Sequence, residues 1–337
     1  MDGDPKGPKA HEFTALFLFA GIGAGALGFV DAQVTMQGRT GRFRSLGGID
    51  NDALACDDFE RLTGSPKLCA DLSTMTAAEL RAFAGPKAPD VVFMSPPCKG
   101  FSGLMSPKKA ATPKYEAMNQ LAVRAVALLL EAWGADGPGL ILLENVPRMA
   151  TRGAALVKAI RGTLRKAGYV THEGSHNCGK LGNLAQSRNR FLMVARHAVK
   201  VPVFLYQPPE YPLRPCGDVL STLPLPNDPA AGRLHQLPDI SLRTWLRLAA
   251  IRPGKDWRDL STLDGEDRPA WARYRVTRWD HTMGAVAGSG TNSAWGVADV
   301  RVDGEWQDAA LGVVPMTVHF GCITGRCSPT NGAFSLA

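Results

Sequence analysis

The chain is predicted to be an α/β protein, with a doubly wound, mostly parallel sheet and a smaller, irregular second domain. Three observations lead there. Across residues 13–197 short apolar runs alternate with helix-like segments, the pattern of parallel strands joined by crossover helices. Residues with chemical potential fall just after the apolar runs, at the strand ends where open sheets of this kind bind ligands. After His197 the composition shifts to proline-rich punctuation, then to Gly, Ser, Thr and Asn. A chain of 337 residues has room for one main domain and a lesser one.

Strands are expected over 14–20, 43–49, 67–70, 90–94, 140–143, 169–177 and 190–195, each an apolar run closed by Gly, Pro, Asn or a charge. Alanine and leucine dominate 119–133, and 151–167 carries Lys and Arg on one side, so both read as helices. Residues 1–12 are polar and are expected to be a disordered tail, with no secretory apolar segment. The domain boundary is placed near Val199, giving a catalytic domain over 13–199 and a second region over 200–337. Within the latter, 201–238 is proline-rich and 241–252 fits one amphipathic helix. An imperfect repeat relates about 279–298 to 316–337, and its second copy stops at Ala337, as though the chain ended in mid-unit.

The formal charge of +7 suggests a polyanionic partner, and the lack of a membrane-length apolar run suggests a cytoplasmic protein. Seven cysteines, at 56, 69, 98, 178, 216, 322 and 327, are odd in number and irregular in spacing. A reducing compartment and no metal site follow, with six of the seven read as small buried hydrophobes.

Four motifs and two aspartates carry the candidate chemistry. The first run ends at Phe19-Ala20 and passes into Gly21-Ile22-Gly23-Ala24-Gly25, a turn that lets backbone amides approach a ligand closely. Nicotinamide-dinucleotide sites place their third glycine one residue later, so the spacing leans towards S-adenosylmethionine. Asp50 ends the second run, and Asp71, before Leu72, follows the third. They suit a ribose hydroxyl and an adenine amino group, the reading preferred for each over its alternative as a helix cap, and Asp52 competes with Asp50. The stretch Ser95-Pro96-Pro97-Cys98-Lys99-Gly100-Phe101-Ser102 holds a thiol on a stiff loop beside a cation, which favours a nucleophile over a buried structural cysteine. Glu144-Asn145-Val146-Pro147 sets a carboxylate at the next strand end, suited to proton transfer or to capping the following helix. Gln186-Ser187-Arg188-Asn189-Arg190 spaces two arginines two apart. On a strand they share a face, as a fork for a base carbonyl and a phosphate or as a solvated pair.

In this order and spacing, Phe19-Ala20-Gly21-Ile22-Gly23, Pro96-Pro97-Cys98, Glu144-Asn145-Val146 and Gln186-x-Arg188-x-Arg190 resemble the motifs of the DNA (cytosine-5)-methyltransferases, most closely long bacterial and prophage members. The resemblance implies a Rossmann-like, S-adenosylmethionine-dependent methyltransferase acting on double-stranded DNA, in the cytoplasm and at the nucleoid of a prokaryote. It implies that a cytosine flips out of the duplex and that Cys98 attacks C6 while Glu144 binds N3 and the exocyclic amine. Arg190, helped by Arg188, holds O2, and C5 takes the methyl group, leaving S-adenosylhomocysteine. By the same resemblance Phe19, Ala20, Gly21, Gly23, Gly25, Ile49, Asp50, Asp71, Leu72 and Pro96 line the cofactor site. Pro97, Lys99, Gly100, Ser102, Asn145, Val146 and Gln186 face the base or the DNA, and 200–337 takes the place of a target-recognition region. No metal and no membrane partner are implied.

Departures from the family pattern qualify this picture. Lys99 stands where Gln is common, and Gly48 where a ribose-gripping Glu is usual. The family's closing segment does not occur before Ala337, which points to a C-terminal portion or a second polypeptide completing the cofactor pocket. The competing readings are a non-catalytic DNA-binding subunit, a fragment of a split methyltransferase, and an RNA cytosine-5 methyltransferase.

Overall fold

The computed structural model describes residues 11–97, 112–204, 208–232, 237, 242–262, 273–284 and 293–301. In chain order they form β1 (His11–Leu18), α1 (Ala24–Val30), β2 (Gln33–Met36), β3 (Arg39–Asp50), α2 (Ala53–Thr63), β4 (Lys67–Cys69), α3 (Ala77–Ala84), β5 (Val91–Met94), α4 (Pro113–Trp133), β6 (Leu140–Asn145), α5 (Ala154–Lys166), β7 (Tyr169–Asn177), α6 (Cys178–Leu181), β8 (Asn189–His197), α7 (Cys216–Leu220), α8 (Leu242–Ala249), β9 (Arg273–Arg278) and β10 (Ser293–Ala298).

The main sheet runs β2-β3-β1-β5-β6-β8-β7, with β4 also on β3. β4, β3, β1, β5 and β6 pair in parallel, whereas β2 on β3 and β8 on β6 are antiparallel. The sheet is therefore mixed, as a mostly parallel α/β fold allows. Its inner strands read as unbroken apolar runs because both faces are covered. In β1, Leu16 and Leu18 pack with Ile49, Met94, Ile141 and Leu143 under α3, α4 and α5. Ala15 and Phe17, on the other face, pack with Ala26 of α1 and Phe59 of α2. Each fully buried large side chain contributes roughly 1.5–3 kcal/mol.

Local signals explain the elements the sequence reading passed over. Gln37 (φ 50°) and Gly38 (φ 73°) close the β2–β3 hairpin with two left-handed residues, the turn whose twist matches that of paired strands. Gln-Gly lacks the Asn or Asp that advertises such turns. α3 begins with a capping box: Glu79 N–H donates to Thr76 Oγ1 at 3.2 Å and Thr76 N–H to Glu79 Oε2 at 2.8 Å. β1 starts at His11, inside the span expected to be a disordered tail.

Two compact units are present: Met1–His176 with Asn189–Gln207, and Asn177–Arg188 with Pro208–Ala337. In the second unit Trp245, Leu248, Ile251, Leu260, Val276 and Ala298 form a small core under the parallel pair β9–β10. Asp299, 2% exposed, pairs with Arg301 at 2.6 Å, and the Arg301 guanidinium lies 5.2 Å from the Trp279 ring centroid. The second copy of the repeat, 316–337, lies outside the described residues.

Candidate active site

Consecutive parallel strands deliver their carboxyl ends side by side, so the residues just beyond β4, β3, β1, β5 and β6 line one edge of the first unit. At β5 and β6 the edge is polar. Glu144 lies within β6, and its carboxylate is held on both oxygens. Arg190 Nε meets Oε1 at 2.8 Å, and the Ser95 hydroxyl donates to Oε2 at 2.6 Å. Ser95 is anchored in turn by its N–H on Leu18 O at 3.3 Å. Asn145, 3% exposed, donates from Nδ2 to Pro96 O at 3.2 Å and accepts from Val146 N–H at 2.8 Å. A buried amide with both ends satisfied fixes backbone firmly. Asn145 thus ties the end of β6 to the backbone two residues before Cys98.

At β1 and β3 the edge is shaped by close packing. Gly21 (φ 52°) and Gly23 (φ 90°) take left-handed conformations, as does Phe19 (φ 54°). Asp50 Oδ2 accepts from Gly21 N–H at 2.8 Å and Oδ1 from Asp52 N–H at 3.1 Å, so one carboxylate clamps the glycine turn and the entry to α2. Asp52 caps α2 through Leu54 and Ala55 N–H. Asp71 accepts from Ser73 N–H at 2.8 Å, a bond that holds its carboxyl below the usual range. Ile22 and Leu54, 51% and 77% exposed, flank this edge. Carboxylates beside exposed apolar side chains suit a nucleoside, whose hydroxyls need acceptors and whose ring needs an apolar wall. Beneath Asp50 lies the Cys56 thiol, pushed up to about 11 by burial and by neighbouring Cys69.

Residues 13–215 match the family model of the C-5 cytosine-specific DNA methylases. The chain belongs to that family. Among its relatives is the type II methyltransferase M1.HphI of Haemophilus parahaemolyticus, 27% identical over 187 residues, which are 54% of this chain and 45% of that protein. The chain therefore spans about half the length of the relative it matches. Among solved structures, a DNA modification methyltransferase encoded within a prophage (E. coli) aligns with a TM-score of 0.58 at 15% identity, over 81% of this chain and 82% of that one. The Dnmt2 methyltransferase of S. pombe aligns with a TM-score of 0.51 at 19% identity, over 86% and 77%. These two likenesses establish the fold, that of the methyltransferases, as the motifs implied.

Within this chain the structure places Phe19, Ala20, Gly21, Gly23, Asp50, Asp71, Pro96, Pro97, Glu144, Asn145 and Arg190 at the strand ends. Cys98, Lys99, Gly100 and Ser102 lie outside the described residues. Six of the expected site residues also have uses within the protein. Ile49 is 0% exposed and Leu72 3%; both side chains fill the core, leaving only backbone for a ligand. Gly25 serves packing: a Cβ there would meet the Phe93 ring at 2.8 Å. Val146 packs its side chain against the core. Gln186 spends its amide on Gly284 O at 3.3 Å, inside the second unit. Arg188 precedes β8, so the strand period that would set it beside Arg190 does not reach it; its N–H donates to Asn177 Oδ1. Gly48 is also explained, since a Cβ there would lie 2.5 Å from the Phe59 ring and 2.9 Å from Ala20 Cβ.

Ser95 stood inside the quoted thiol stretch without a role, because a lone serine beside two prolines carries no signal of its partner 49 residues on. The cysteines are also more varied than expected: Cys56 and Cys216 are buried, but Cys69 is exposed. Several arginines of the second unit are paired locally, Arg278 with Asp280 at 2.7 Å and Arg214 with Asp218 at 3.7 Å. Among the described residues no helix is long and apolar enough to cross a membrane, and no three His, Cys, Asp or Glu are grouped to hold a metal ion.

Proposed function

We propose that this chain methylates C5 of cytosine in double-stranded DNA, in the cytoplasm, with S-adenosylmethionine as donor. The observation that carries the reading is the Glu144 carboxylate, gripped by Arg190 and by Ser95, which stands three residues before Cys98 in the sequence, in a chain of the cytosine-specific family. Asp50 and Asp71 would hold the ribose and adenine, with Ile22 and Leu54 as apolar walls. When bound, S-adenosylmethionine supplies a methyl group on a positively charged sulfur, an electrophile that only an electron-rich carbon can capture.

Cytosine C5 is not such a carbon until C6 is substituted. The target base leaves the stack at a cost of a few kcal/mol. The Cys98 thiolate then adds to C6 as Glu144 gives a proton to N3, and Arg190 holds O2 as charge spreads over the ring. C5 takes the methyl group and gives up its proton to water, and the thiolate is expelled as N3 returns its proton to Glu144. Asn145 acts through the backbone of Pro96, which it holds to the end of the strand that carries the acid. The second unit serves target recognition; its arginines supply phosphate contacts.

Transfer of labelled methyl from S-adenosylmethionine to duplex DNA, to duplex lacking cytosine and to transfer RNA tests this. Label in duplex cytosine that Cys98→Ala abolishes is expected. Label preferring RNA, or a Cys98→Ala chain as active as the parent, would overturn it.

A further inference from the structure

The two oxygens of the Glu144 carboxylate have partners of different kinds. Oε1 receives Arg190 Nε at 2.8 Å and Oε2 receives the Ser95 hydroxyl at 2.6 Å. A guanidinium has donors only, so Oε1 is locked as an acceptor; a hydroxyl donates or accepts as required. A proton carried by this carboxyl therefore sits on Oε2, facing Ser95.

We infer that Ser95 is a positioning residue for methyl transfer, whose hydroxyl reverses its hydrogen bond to keep Glu144 in one place through both protonation states. This rests on the reading of Glu144 as the group that meets N3. In the neutral acid the Oε2 proton is shared with Ser95 Oγ. As sulfur bonds to C6, the electron pair driven onto N3 takes that proton. Oε2 is left as a carboxylate oxygen, and the Ser95 hydroxyl turns to donate to it. On expulsion of the thiolate N3 gives the proton back and the hydroxyl turns again. Without the hydroxyl, Oε2 would lose its fixed partner each time it was charged, and Arg190 alone would pull the carboxylate towards itself.

The backbone is built for such a pivot. Ser95 N–H is bonded to Leu18 O, and Glu144 sits in β6 between β5 and β8, opposite Leu192. Neither residue can follow a drifting partner. Ser95 also stands three residues before Cys98 in the sequence, so the contact ties the acid to the backbone that leads to the nucleophile.

Single-turnover methyl transfer by the full chain, with separate measurement of cofactor Kd and duplex KM, tests the inference. Ser95→Ala should slow the maximal rate about tenfold, the scale of one charge-assisted hydrogen bond. Kd and KM should stay within about twofold. Ser95→Thr, which keeps the hydroxyl, should regain most of the rate. In a Glu144→Gln background Ser95→Ala should cost less than about twofold, because the partner it serves has gone. An unchanged rate in Ser95→Ala, a loss confined to KM, or a Ser95→Thr chain as slow as Ser95→Ala would each overturn it. Absence of transfer by the parent chain, with DNA and cofactor bound, would instead overturn the reading of the site itself.

Discussion

The two ends of the site are built by opposite means. Beyond β5 and β6, polar side chains hold one another: Ser95 and Arg190 grip Glu144, and Asn145 reaches the backbone at Pro96. Beyond β1 and β3, side chains are missing where the rings of Phe59 and Phe93 press against backbone. The first end trades on polar contacts between side chains. The second trades on steric fit, with Gly23, Gly25 and Gly48 leaving room for neighbouring side chains.

Substitutions can break this contrast. The largest effect is expected from Glu144→Gln, which should cut the methyl-transfer rate by about 10²–10⁴. Its denaturant midpoint should stay nearly unmoved, since the amide keeps the shape and both partners; a large drop in stability would blur the distinction. Gly48→Ala should do the reverse. The added methyl cannot fit against the buried Phe59 ring, and unfolding should come about 3 kcal/mol more easily, with residual activity tracking the folded fraction. Asn145→Ala joins the two behaviours: it leaves the Pro96 carbonyl without its donor, costs about 2 kcal/mol by chemical denaturation, and lowers the transfer rate as the turn loosens.

The smallest effect concerns pH at the packed end. Burial raises the Cys56 thiol from 9.0 to about 11, so the folded state keeps the proton that the unfolded chain gives up. This contribution is whole below pH 9 and is lost as pH rises through 11, about 1 kcal/mol by pH 10. Cys56→Ala should flatten that part of the stability curve; an identical slope in parent and variant would remove the effect.

Much of the architecture was legible because buried strands are apolar on both faces and end where the polarity changes. The run 169–177 coincides with β7, and the runs at 90–94 and 140–143 found β5 and most of β6. β6 continues through Glu144 and Asn145, so the carboxylate is carried by the strand and not by the loop beyond it. Glu144 and Arg190 were legible as members of ordered motifs. The structural setting of Gln186 and Arg188 was not legible, because motif spacing says nothing about which unit a residue joins; both lie in Asn177–Arg188, which folds with the second unit. The burial of Ile49 and Leu72 was not legible either, because proximity in sequence to an aspartate at a strand end does not say which way a side chain points.

By itself the sequence determined the α/β alternation, the methylase family, and the strand ends at which the thiol motif, the carboxylate and the glycine turn would stand. Those follow from local polarity, residue stiffness and motif order, all properties of neighbours in the chain. Only the tertiary structure decided the partners: Ser95 and Arg190 on opposite oxygens of Glu144, Asn145 on Pro96, Phe59 against Gly48. A hydrogen bond or a steric contact between residues 11 to 49 positions apart depends on strand order and register, which the sheet sets when it closes.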